Sequence, residues 1–550
     1  MLLRNVASSA CFLLPLFQAA VNAALTSQTQ VWKNVVIGAG GFVPGIVFNP
    51  TKPGLAYLRT DIGGAYRSNG DAWVPLTDYA NDTTWHDWGI ESLATDPVQP
   101  NILYLAILYF AARSGNGLWR STDSGVTWKK VQSFPDAGTY IADPNDGSGY
   151  NADITGVVWV TFDPSSSTSA GTKRIFVGVA SLNKSNIFVS NDAGATWSAL
   201  PAFANNAYMA HKGVLSPAEK VLYVTFNNNA GPYDGSAGAV GKYNITAGTW
   251  TDITPSPGGG FGFGGLAIDL QKPGTLMVAP LNQWWPDANI WRSLDGGATW
   301  SPIWELMWPN KKRYYTMDVS LTPYLGVPVA DDDLSIKEIG WMIEALVIDP
   351  HDSNHWLYGT GATVAGGHDL LNWDTIHNVT IKSLVVGIEE TAVLGLISPP
   401  SGSHLLSVVG DIGGFNHVDF GKASAGFTNP VFGTTTGIDF AGKKPASIVR
   451  VGGNNGQIST SADGGATWAP YPGGDAYSGG HVAYSANGDA ILWSANQALV
   501  LSKNGGAFTT VAGVPSGAII AADKNNGTVF YAASGSNFYI SRDTGSTWAS

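Results

Sequence analysis

The sequence predicts an all-β protein made of tandem β-propellers, and three features of the chain support this fold class. The 550 residues include 68 glycines and 21 tryptophans, whereas only 13% of the residues are charged. This composition favours many short strands and turns over helices stabilised by ion pairs. The other two features are an eight-residue motif that recurs along the chain and an Asp-Pro turn that precedes it at a nearly constant distance.

The recurring motif has the pattern S-x-D-x-G-x-T-W and is known as an Asp box. Its Asp carboxylate can accept backbone N–H bonds in a hairpin turn, its Gly can adopt a positive φ, and its Trp can pack between neighbouring sheets. We therefore interpret the motif as structural rather than catalytic. Complete copies occupy residues 121–128, 190–197, 293–300, 461–468 and 541–548, and degenerate copies occupy residues 68–73 and 502–508.

The spacing between the two kinds of turn indicates the size of the repeating unit. A four-stranded blade of about 40–50 residues, with one turn of each kind, explains the spacing, whereas a β-sandwich array does not require a matched pair of motifs in every unit. We expect residues 24–395 to form an N-terminal propeller and residues 396–550 part of a C-terminal one. The distances are 27, 29 and 26 residues, from Asp96 to Asp123, from Asp163 to Asp192 and from Asp269 to Asp295, and about ten blades would begin near residues 43, 90, 157, 220, 264, 343, 393, 446, 481 and 518.

The N-terminus carries the features of a secretory signal peptide at residues 1–23. Arg4 supplies a positive charge, an apolar stretch follows, and residues 21–23 form a small-residue cleavage site. The apolar stretch is shorter than the about 20 residues that a membrane-spanning helix needs. We therefore expect a secreted, extracellular protein without a membrane anchor.

Two further features are typical of a secreted protein. The single cysteine, Cys11, lies within the signal, so the mature chain has no disulfides and must rely on a packed core. Five N-x-S/T sequons provide candidate sites for N-linked glycosylation. They lie at Asn81, Asn183, Asn244, Asn378 and Asn526.

The charge balance narrows the possible partners. The formal net charge of −12 at pH 7 disfavours binding to nucleic acid or to an anionic membrane surface. A neutral polysaccharide carries no such penalty. The nine histidines show no spacing typical of a metal site. Nothing in the sequence indicates oligomerisation, so we expect a monomer.

A second motif, Asp-Ile-Gly-Gly, does not belong to the blade turns. It occurs once in the first blade, at Asp61, and again in the second half of the chain, at Asp411. Its paired glycines allow the backbone to turn sharply and a bulky ligand to approach. If two propellers face each other, each can contribute one Asp to a shared groove. Glycoside hydrolysis requires such a pair, since one carboxyl group must donate a proton to the leaving oxygen and the other must be ionised.

Tryptophans would supply the surface on which sugars bind, because the apolar faces of pyranose rings stack on indole rings. We expect most of the 21 tryptophans, including those in the Asp boxes, to lie in blade cores. Successive residues of a strand face opposite sides, so at least one of the adjacent Trp284 and Trp285 should be exposed. The candidates for substrate binding are Trp85, Trp88, Trp284, Trp285, Trp308 and Trp341.

Six segments that include these motifs resemble glycoside hydrolase family 74, the xyloglucanases. The resemblance implies two seven-bladed propellers around an open cleft, and inverting cleavage of the β-1,4-glucan backbone of xyloglucan. By motif match it implies Asp61 as the general base and Asp411 as the general acid. It implies no metal and no organic cofactor. The segments are residues 35–45, 59–67, 88–93, 113–119, 313–315 and 409–415, and the resemblance extends over residues 31–550.

The chain departs from the family pattern in two places. The family has a further Asp-box unit between the strands that here occupy residues 101–106 and 107–111, and it continues through several more blades after the fifth box. About ten blades are present where the resemblance implies fourteen. We therefore expect one internal repeat and the C-terminal blades to be missing, which leaves the second propeller, and the first, incomplete.

Four functions are compatible with these observations. An endo-acting xyloglucanase and a reducing-end-specific exo-xyloglucanase differ by a loop that blocks one end of the cleft. A catalytically impaired propeller that only binds glucan is the third function, and it applies if the missing blades prevent the cleft from forming. A sialidase is suggested by the Asp boxes alone. Sialidases need several arginines around a substrate carboxylate, whereas the two Asp-Ile-Gly-Gly motifs favour a neutral glucan.

Overall fold

Ten sheets of three to five strands follow one another along the described part of the chain, and nearly all neighbouring strands are antiparallel. We number these sheets as blades 1 to 10 in chain order. Asn81, Trp85, Trp88 and the signal segment lie outside the described residues. The structure is a computed structural model that describes residues 33–50, 52–61, 64–76, 90–107, 117–124, 126–136, 139–141, 153–229, 231, 235–256, 260–326 and 333–550.

Blades 1 to 6 form the first set, and each is built from strands that are close in sequence. Blade 1 consists of β1 (Gly45–Phe48), β2 (Ala56–Arg59), β3 (Ala65–Asn69) and β4 (Ala72–Pro75), and blade 2 of β5 (Ile90–Thr95), β6 (Leu103–Ile107), β7 (Gly117–Ser121) and β8 (Lys129–Lys130). Blade 3 consists of β9 (Thr139–Ile141), β10 (Asp153–Phe162), β13 (Ile175–Ala180), β14 (Ile187–Ser190) and β15 (Ser198–Ala199), with a small hairpin of β11 (Ser167–Thr168) and β12 (Gly171–Thr172) beside it. Blade 4 consists of β16 (Met209–Ser216), β17 (Val221–Asn227), β18 (Gly238–Asn244) and β19 (Thr249–Asp252), and blade 5 of β20 (Phe263–Ile268), β21 (Leu276–Pro280), β22 (Trp291–Ser293) and β23 (Ser301–Pro302). A hairpin of β24 (Trp304–Met307) and β25 (Asn310–Arg313) precedes blade 6, which consists of β26 (Tyr315–Asp318), β27 (Leu346–Asp349), β28 (Asp352–Gly359), β29 (Val364–Gly367) and β30 (Val379–Ser383).

Blades 7 to 10 form the second set. Blade 7 consists of β31 (Val393–Ile397), β32 (Leu405–Val409) and β33 (Gly414–His417), and blade 8 of β34 (Thr435–Ala441), β35 (Lys444–Gly452), β36 (Ile458–Ser461) and β37 (Ala469–Pro470). Blade 9 consists of β38 (His481–Tyr484), β39 (Ala490–Ser494), β40 (Leu499–Lys503) and β41 (Thr509–Thr510), and blade 10 of β42 (Ile519–Ala522), β43 (Phe530–Ser534) and β44 (Asn537–Ser541). Within the described ranges, the helices are α1 (Asn372–Ile376) and three 3-10 turns at Pro164–Ser166, Ala204–Asn206 and Asp333–Ser335.

Neighbouring blades pack through apolar side chains that both sheets bury. Trp159 of blade 3, for example, packs in one buried cluster with Leu222 of blade 4. Blade 6 packs in turn on blade 1, where Leu357 and Leu58 share a buried cluster. Each large apolar side chain that folding buries contributes roughly 1.5–3 kcal/mol. Because blade 6 contacts blade 1, the last and the first blades of the first set are in contact. This set has six described blades, whereas the family resemblance implies seven in the first propeller.

The Asp boxes form the hairpin turns that the sequence predicts. In the box of Asp192, Oδ1 accepts the Thr196 N–H and the Ser190 hydroxyl, both at 2.8 Å, and Oδ2 accepts the Thr196 hydroxyl at 2.5 Å. These bonds, chiefly that of the Thr196 hydroxyl, lower the pKa of Asp192 to about 2. The Asp carboxylates therefore accept hydrogen bonds within their own hairpin turns. This confirms the interpretation of the Asp boxes as structural rather than catalytic. The same arrangement recurs at Asp123, Asp295, Asp463 and Asp543.

Four of the expected blade starts are wrong. The starts near residues 157 and 343 lie at the second strands β10 and β27, because the sheets of blades 3 and 6 each include an earlier strand, β9 and β26. The starts near residues 220 and 446 fall on the second strands β17 and β35, because blades 4 and 8 begin with β16 and β34. Polar residues interrupt the apolar pattern of both first strands, for example His211 and Lys212 in β16 and Asp439 in β34. The hydrophobic pattern therefore became clear only in the strand that follows. The division of the chain into an N-terminal and a C-terminal propeller between residues 395 and 396 stays a prediction.

Candidate active site

Both copies of the Asp-Ile-Gly-Gly motif occupy the same position in their blades. Asp61 lies between β2 and β3, the second and third strands of blade 1. Asp411 lies between β32 and β33, the second and third strands of blade 7. Both residues are exposed. Each set of blades therefore presents one of the two carboxyl groups to solvent.

Asp61 is held in place by a preceding segment of the chain. Its backbone N–H donates to the carbonyl of Phe42 at 3.0 Å, and the N–H of Thr60 donates to the carbonyl of Gly64, also at 3.0 Å. Thr60 is buried, whereas Asp61 is exposed. The motif is thus anchored in the blade on its N-terminal side, and the aspartate lies where the anchored backbone reaches the surface.

Asp411 lies in a more constrained turn. Its φ of 62° falls in the left-handed region, which Asp tolerates better than most other side chains. Its N–H donates to the hydroxyl of Thr434 at 3.1 Å. Gly413 has a φ of 80°, and a Cβ atom there would lie 2.7 Å from the carbonyl oxygen of Phe432. The turn that presents Asp411 therefore requires a glycine at position 413.

A seam between the two sets of blades consists of residues 36–42 and 389–392. Gly40 and Glu390 form a parallel β-bridge, and the N–H of Glu390 donates to the carbonyl of Ala39 at 2.8 Å. Apolar side chains from both sides of the seam pack together. The buried members of this cluster are Ile37, Ala39, Val409 and Phe415.

The seam brings the two aspartates to the same end of one structural element. Phe42, two residues after the bridge on one side, accepts the N–H of Asp61. Ala392, two residues after the bridge on the other side, accepts the N–H of Gly410 at 2.9 Å, and Asp411 follows directly. Because the bridged segments run parallel, both leave the bridge in the same direction. Asp61 and Asp411, 350 residues apart in sequence, are therefore each attached at this end of the seam.

Glu389 is a seam residue that sequence reasoning missed. Its Oε2 accepts the N–H groups of Ile37 at 2.8 Å and Gly38 at 3.0 Å. Burial raises the pKa of Glu389, and these two bonds oppose the increase. On the other side of the same backbone, the hydroxyl of Tyr324 lies 3.3 Å from the carbonyl oxygen of Gly38. Glu389 belongs to no local motif, and its partners lie more than 350 residues away, so no signal in the sequence marks it.

An aromatic platform is formed by three of the candidate tryptophans. Trp284 and Trp341 stack with their ring centroids 6.3 Å apart and an interplanar angle of 26°. Trp284 is 41% exposed and Trp285 is 58% exposed, so both members of the adjacent pair reach the surface. Exposed indole faces of this kind are suited to stacking on pyranose rings.

The platform is connected to the seam through Gly361. The N–H of Gly361 donates to the carbonyl of Trp341 at 2.8 Å, and a Cβ atom on this glycine would lie 2.2 Å from the indole Nε1 of Trp341. The next residue, Ala362, accepts the N–H of Gly40 at 3.0 Å. The turn between β28 and β29, which contains Gly361 and Ala362, therefore connects Trp341 to the segment that holds Asp61.

A group of half-buried charges lies around Arg59, which precedes Asp61 by two residues. The Nζ of Lys212 donates to the carbonyl of Glu344 at 3.3 Å, and the Nε2 of His211 lies 3.1 Å from the carboxylate of Glu344. Burial lowers the pKa of Lys212 to about 8. Arg59, two residues before Asp61, adds a further positive charge to this group. Sequence reasoning also missed this group, because its members come from three different blades.

The remaining expectations concern glycosylation, metals and membranes. Among the residues that the structure describes, no three His, Cys, Asp or Glu side chains are grouped so that they could hold a metal ion. No helix within the described ranges is long and apolar enough to cross a membrane. The sequon residues Asn183, Asn244, Asn378 and Asn526 are all exposed.

Comparison with known proteins identifies the family. No family model matches the chain. A xyloglucanase of Hypocrea jecorina (strain QM6a) is 48% identical over 94% of this chain and 71% of its own length, and xyloglucanase Xgh74A of Acetivibrio thermocellus is 41% identical over 96% and 70%. The chain belongs to the GH74 xyloglucanase family. An oligoxyloglucan-reducing end-specific xyloglucanase of Emericella nidulans is a more distant relative, 30% identical over 93% of this GH74 chain and 77% of its own length.

Solved GH74 structures confirm the fold class. The GH74 xyloglucanase from Xanthomonas campestris has a TM-score of 0.82 and 29% identity, with 94% of this chain and 81% of that chain covered. The GH74 enzyme of Niastella koreensis has a TM-score of 0.74 and 27% identity, with 94% and 80% covered. The present GH74 chain is therefore an all-β protein of tandem β-propellers.

The relatives also contain residues that this GH74 chain lacks. The alignment with the Hypocrea jecorina xyloglucanase extends over 593 residues, more than the 550 of the whole chain. The relative therefore carries additional residues within the aligned region. The assignment of that difference to one repeat between residues 106 and 107 stays a prediction, as do the roles of the individual site residues.

Proposed function

We propose that this protein is a secreted glycoside hydrolase that cleaves the β-1,4-glucan backbone of xyloglucan with inversion, with Asp61 as general base and Asp411 as general acid. The observation that carries the proposal is the parallel bridge of the seam. Two copies of one carboxylate motif, from different sets of blades, are attached at the same end of that seam. Membership in a family of xyloglucanases supports the substrate class.

The two carboxyl groups would divide the reaction between them. Asp411 would donate its proton to the glycosidic oxygen as the bond from C1 to that oxygen breaks. Asp61 would accept a proton from a water molecule whose oxygen bonds to C1 from the opposite face, so the configuration at C1 inverts. Solvent would then carry a proton from Asp61 back to Asp411. Inversion needs the two carboxyl groups about 6.5–9.5 Å apart, which leaves room for the water.

The half-buried charges around Arg59 support the choice of Asp61 as the base. Positive charge favours the ionised form of a nearby carboxylate. Arg59 and Lys212 carry two positive charges, which exceed the single negative charge of Glu344. A base must be ionised before it can accept a proton from water.

Two substitutions test the proposal. Asp61→Asn and Asp411→Asn should each lower kcat on xyloglucan by at least about 10²-fold, since each removes one proton-transfer group. Asp71→Asn and Asp419→Asn are matched controls, because both are exposed aspartates in the same two blades. The controls should retain full activity. If both site variants also retained it, the assignment of Asp61 and Asp411 would be wrong.

Product analysis tests the stereochemistry and the mode of attack. NMR spectra recorded directly after mixing should show the α-anomer at the new reducing end, because inversion of a β-linkage yields it. An initial β-anomer would indicate retention instead. Endo attack should lower the viscosity of the polymer early in the reaction, whereas a reducing-end-specific exo enzyme would release short oligosaccharides first. Binding without any hydrolysis would indicate the catalytically impaired propeller.

Secretion is a separate part of the proposal. The segment 1–23 has a charged start, an apolar stretch and a small-residue cleavage site. Expression in a fungal host should therefore release protein into the medium with Ala24 as its first residue. Intracellular retention of a chain that still begins at Met1 would contradict this assignment.

A further inference from the structure

Arg450 is a fully buried charged residue that the site described above does not use. It lies in β35, the second strand of blade 8, and is 0% exposed. Burial lowers the pKa of Arg450 to about 9, so its guanidinium group is still charged at neutral pH. Removing a charge from water is costly unless other groups compensate for the lost hydration. The contacts of Arg450 therefore show what this buried charge stabilises.

The guanidinium group of Arg450 is surrounded chiefly by aromatic rings. Its carbon lies 4.1 Å from the ring centroid of Phe432, 4.6 Å from that of Trp468 and 5.1 Å from that of Phe427. The attraction between a cation and an aromatic ring is strongest where the cation is desolvated. One guanidinium N–H group donates to the carbonyl of Pro430, while Nε and Nη1 have no hydrogen-bond partner among the described residues. Arg450 thus holds three aromatic rings and one carbonyl group around a single cation.

Most of these partners belong to one connecting segment, residues 427–434, which lies between β33 of blade 7 and β34 of blade 8. Phe427, Pro430 and Phe432 all lie within this segment, whereas Trp468 ends the Asp box of blade 8. The segment belongs to none of the described strands, so contacts other than a sheet ladder must fix its position. Arg450 supplies such contacts and fastens the connecting segment to blade 8.

The connecting segment also holds the turn that presents Asp411. At its start, the N–H of Phe427 donates to the carbonyl of the last residue of the Asp-Ile-Gly-Gly motif at 2.9 Å. At its end, the carbonyl of Gly433 accepts the N–H of the third motif residue at 2.8 Å, and the hydroxyl of Thr434 accepts the N–H of Asp411 itself at 3.1 Å. Both ends of the segment therefore contact the turn, and the part between them contacts Arg450.

We propose that Arg450 is a positioning residue for Asp411, which fixes the connecting segment and, through it, the turn that directs the carboxyl group at the glycosidic oxygen. The inference rests on the proposed function, since it takes Asp411 as the general acid. A general acid must come within about 2.6–3.2 Å of the atom that it protonates. A displacement of about 1 Å can lower the rate by about 10²-fold. Arg450 is buried, so it acts on the reaction only through the backbone of the turn.

Arg450→Met tests the inference, because methionine adapts to irregular spaces in a core but provides neither the charge nor the hydrogen bond to Pro430. On xyloglucan, kcat should fall by about ten- to hundredfold, while KM should change by less than about threefold. On an aryl glycoside, kcat should fall far less, since a good leaving group departs without a proton from Asp411. A purely structural role would lower both kcat values by the same factor.

Arg292→Met is the matched control, because Arg292 is a buried arginine of the first set of blades, 2% exposed and paired with Asp374. It should lower the stability measured by urea unfolding, yet leave the ratio of the two kcat values unchanged. Should Arg450→Met fail to fold, Phe432→Leu is the second variant, because it keeps the charge and removes the ring nearest to the guanidinium group. It should show the same selective loss on xyloglucan, by about three- to tenfold.

The outcomes separate this inference from the proposed function. If Asp411→Asn shows the selective loss on xyloglucan but the Arg450→Met or Phe432→Leu protein loses activity on both substrates equally, or on neither, the inference is wrong and the function stands. The same conclusion follows if Arg292→Met shows the selective loss, because the effect would then not be specific to Arg450. If the unsubstituted chain hydrolyses neither substrate, the proposed function is wrong and the inference fails with it.

Discussion

The two Asp-Ile-Gly-Gly copies share a sequence and a place in their blades, yet their backbones differ. In the first copy the N–H of Thr60 donates to the carbonyl of Gly64, whereas in the second the N–H of Val409 donates to that of Gly413. The closing bond of the second turn thus begins and ends one residue earlier relative to the aspartate. Asp411 also adopts a φ of 62°.

The neighbours of the two copies differ as well. The N–H of the first aspartate donates to a backbone carbonyl, that of Phe42, whereas the N–H of the second donates to a hydroxyl, that of Thr434. The N–H groups of two aspartates in the same local sequence are therefore satisfied by different partners. Two chemically identical carboxyl groups can carry out different steps only if their surroundings differ, and these turns are one such difference.

The largest effect should come from the division of roles between the two copies. Asp411→Asn should lose at least about 10²-fold in kcat on xyloglucan, yet lose far less on an aryl glycoside, because a good leaving group departs without a proton. Asp61→Asn should lose about 10²-fold or more on both substrates, since water must be activated in either case. Kinetics with the two substrates measure this difference. The reverse pattern would exchange the assigned roles.

The next effect concerns the backbone of the second turn. Gly413→Ala should lower the free energy of unfolding by about 1–3 kcal/mol, because φ is 80° and the new Cβ would approach the Phe432 carbonyl oxygen. Urea unfolding measures the change. Gly433→Ala is the control: it lies beside Gly413 in the structure, and no atom lies within 4 Å of its Cβ position. Equal losses in both variants would show that the second turn is not constrained as described.

A smaller effect should come from the buried charge near the first turn. Burial lowers the pKa of Lys212 from 10.5 to about 8, so below pH 8 folding buries a charge that is present in both states. Between pH 8 and 10.5 the unfolded chain binds more protons than the folded chain, and stability rises with pH. Lys212→Met should therefore raise the free energy of unfolding at pH 7 by about 1–3 kcal/mol, with the gain shrinking toward pH 10.5.

Urea unfolding at pH 7 and pH 10 measures this difference between the two proteins. His211, Glu344 and Arg59 surround Lys212, and they are unchanged in the variant. Lys272→Met, at an exposed position, is the control and should change stability little at either pH. A Lys212→Met protein less stable than the parent at pH 7 would show that attraction to Glu344 outweighs the cost of burial.

The smallest effect should come from the aromatic platform. Trp284→Ala should weaken binding of xyloglucan by about two- to tenfold, since it removes an exposed indole ring and its stacking on Trp341. Calorimetry with xyloglucan and the inactive Asp411→Asn protein, with and without Trp284→Ala, measures the change in affinity. Leu270→Ala, an exposed apolar residue in the turn between β20 and β21, is the control. Unchanged binding would remove Trp284 from the substrate path.

The blades could be predicted from the sequence to different extents. The Asp boxes were recognised because each turn is specified by four residues of its own, such as Ser190, Asp192 and Thr196 with an intervening glycine. The starts of blades 4 and 8 were wrong because polar residues in β16 and β34 interrupt the hydrophobic pattern. Local chemistry thus predicted turns more reliably than it predicted strands.

The sequence by itself determined the all-β fold, the repeating blades and the pair of candidate carboxyl groups, because each depends on short motifs whose chemistry is local. The tertiary structure alone decided that Asp61 and Asp411 are attached at one end of a seam, and that Glu389 holds the backbone of that seam. The physical reason is that these contacts join segments far apart in the chain. Their geometry depends on how complete blades pack, which no local pattern of residues encodes.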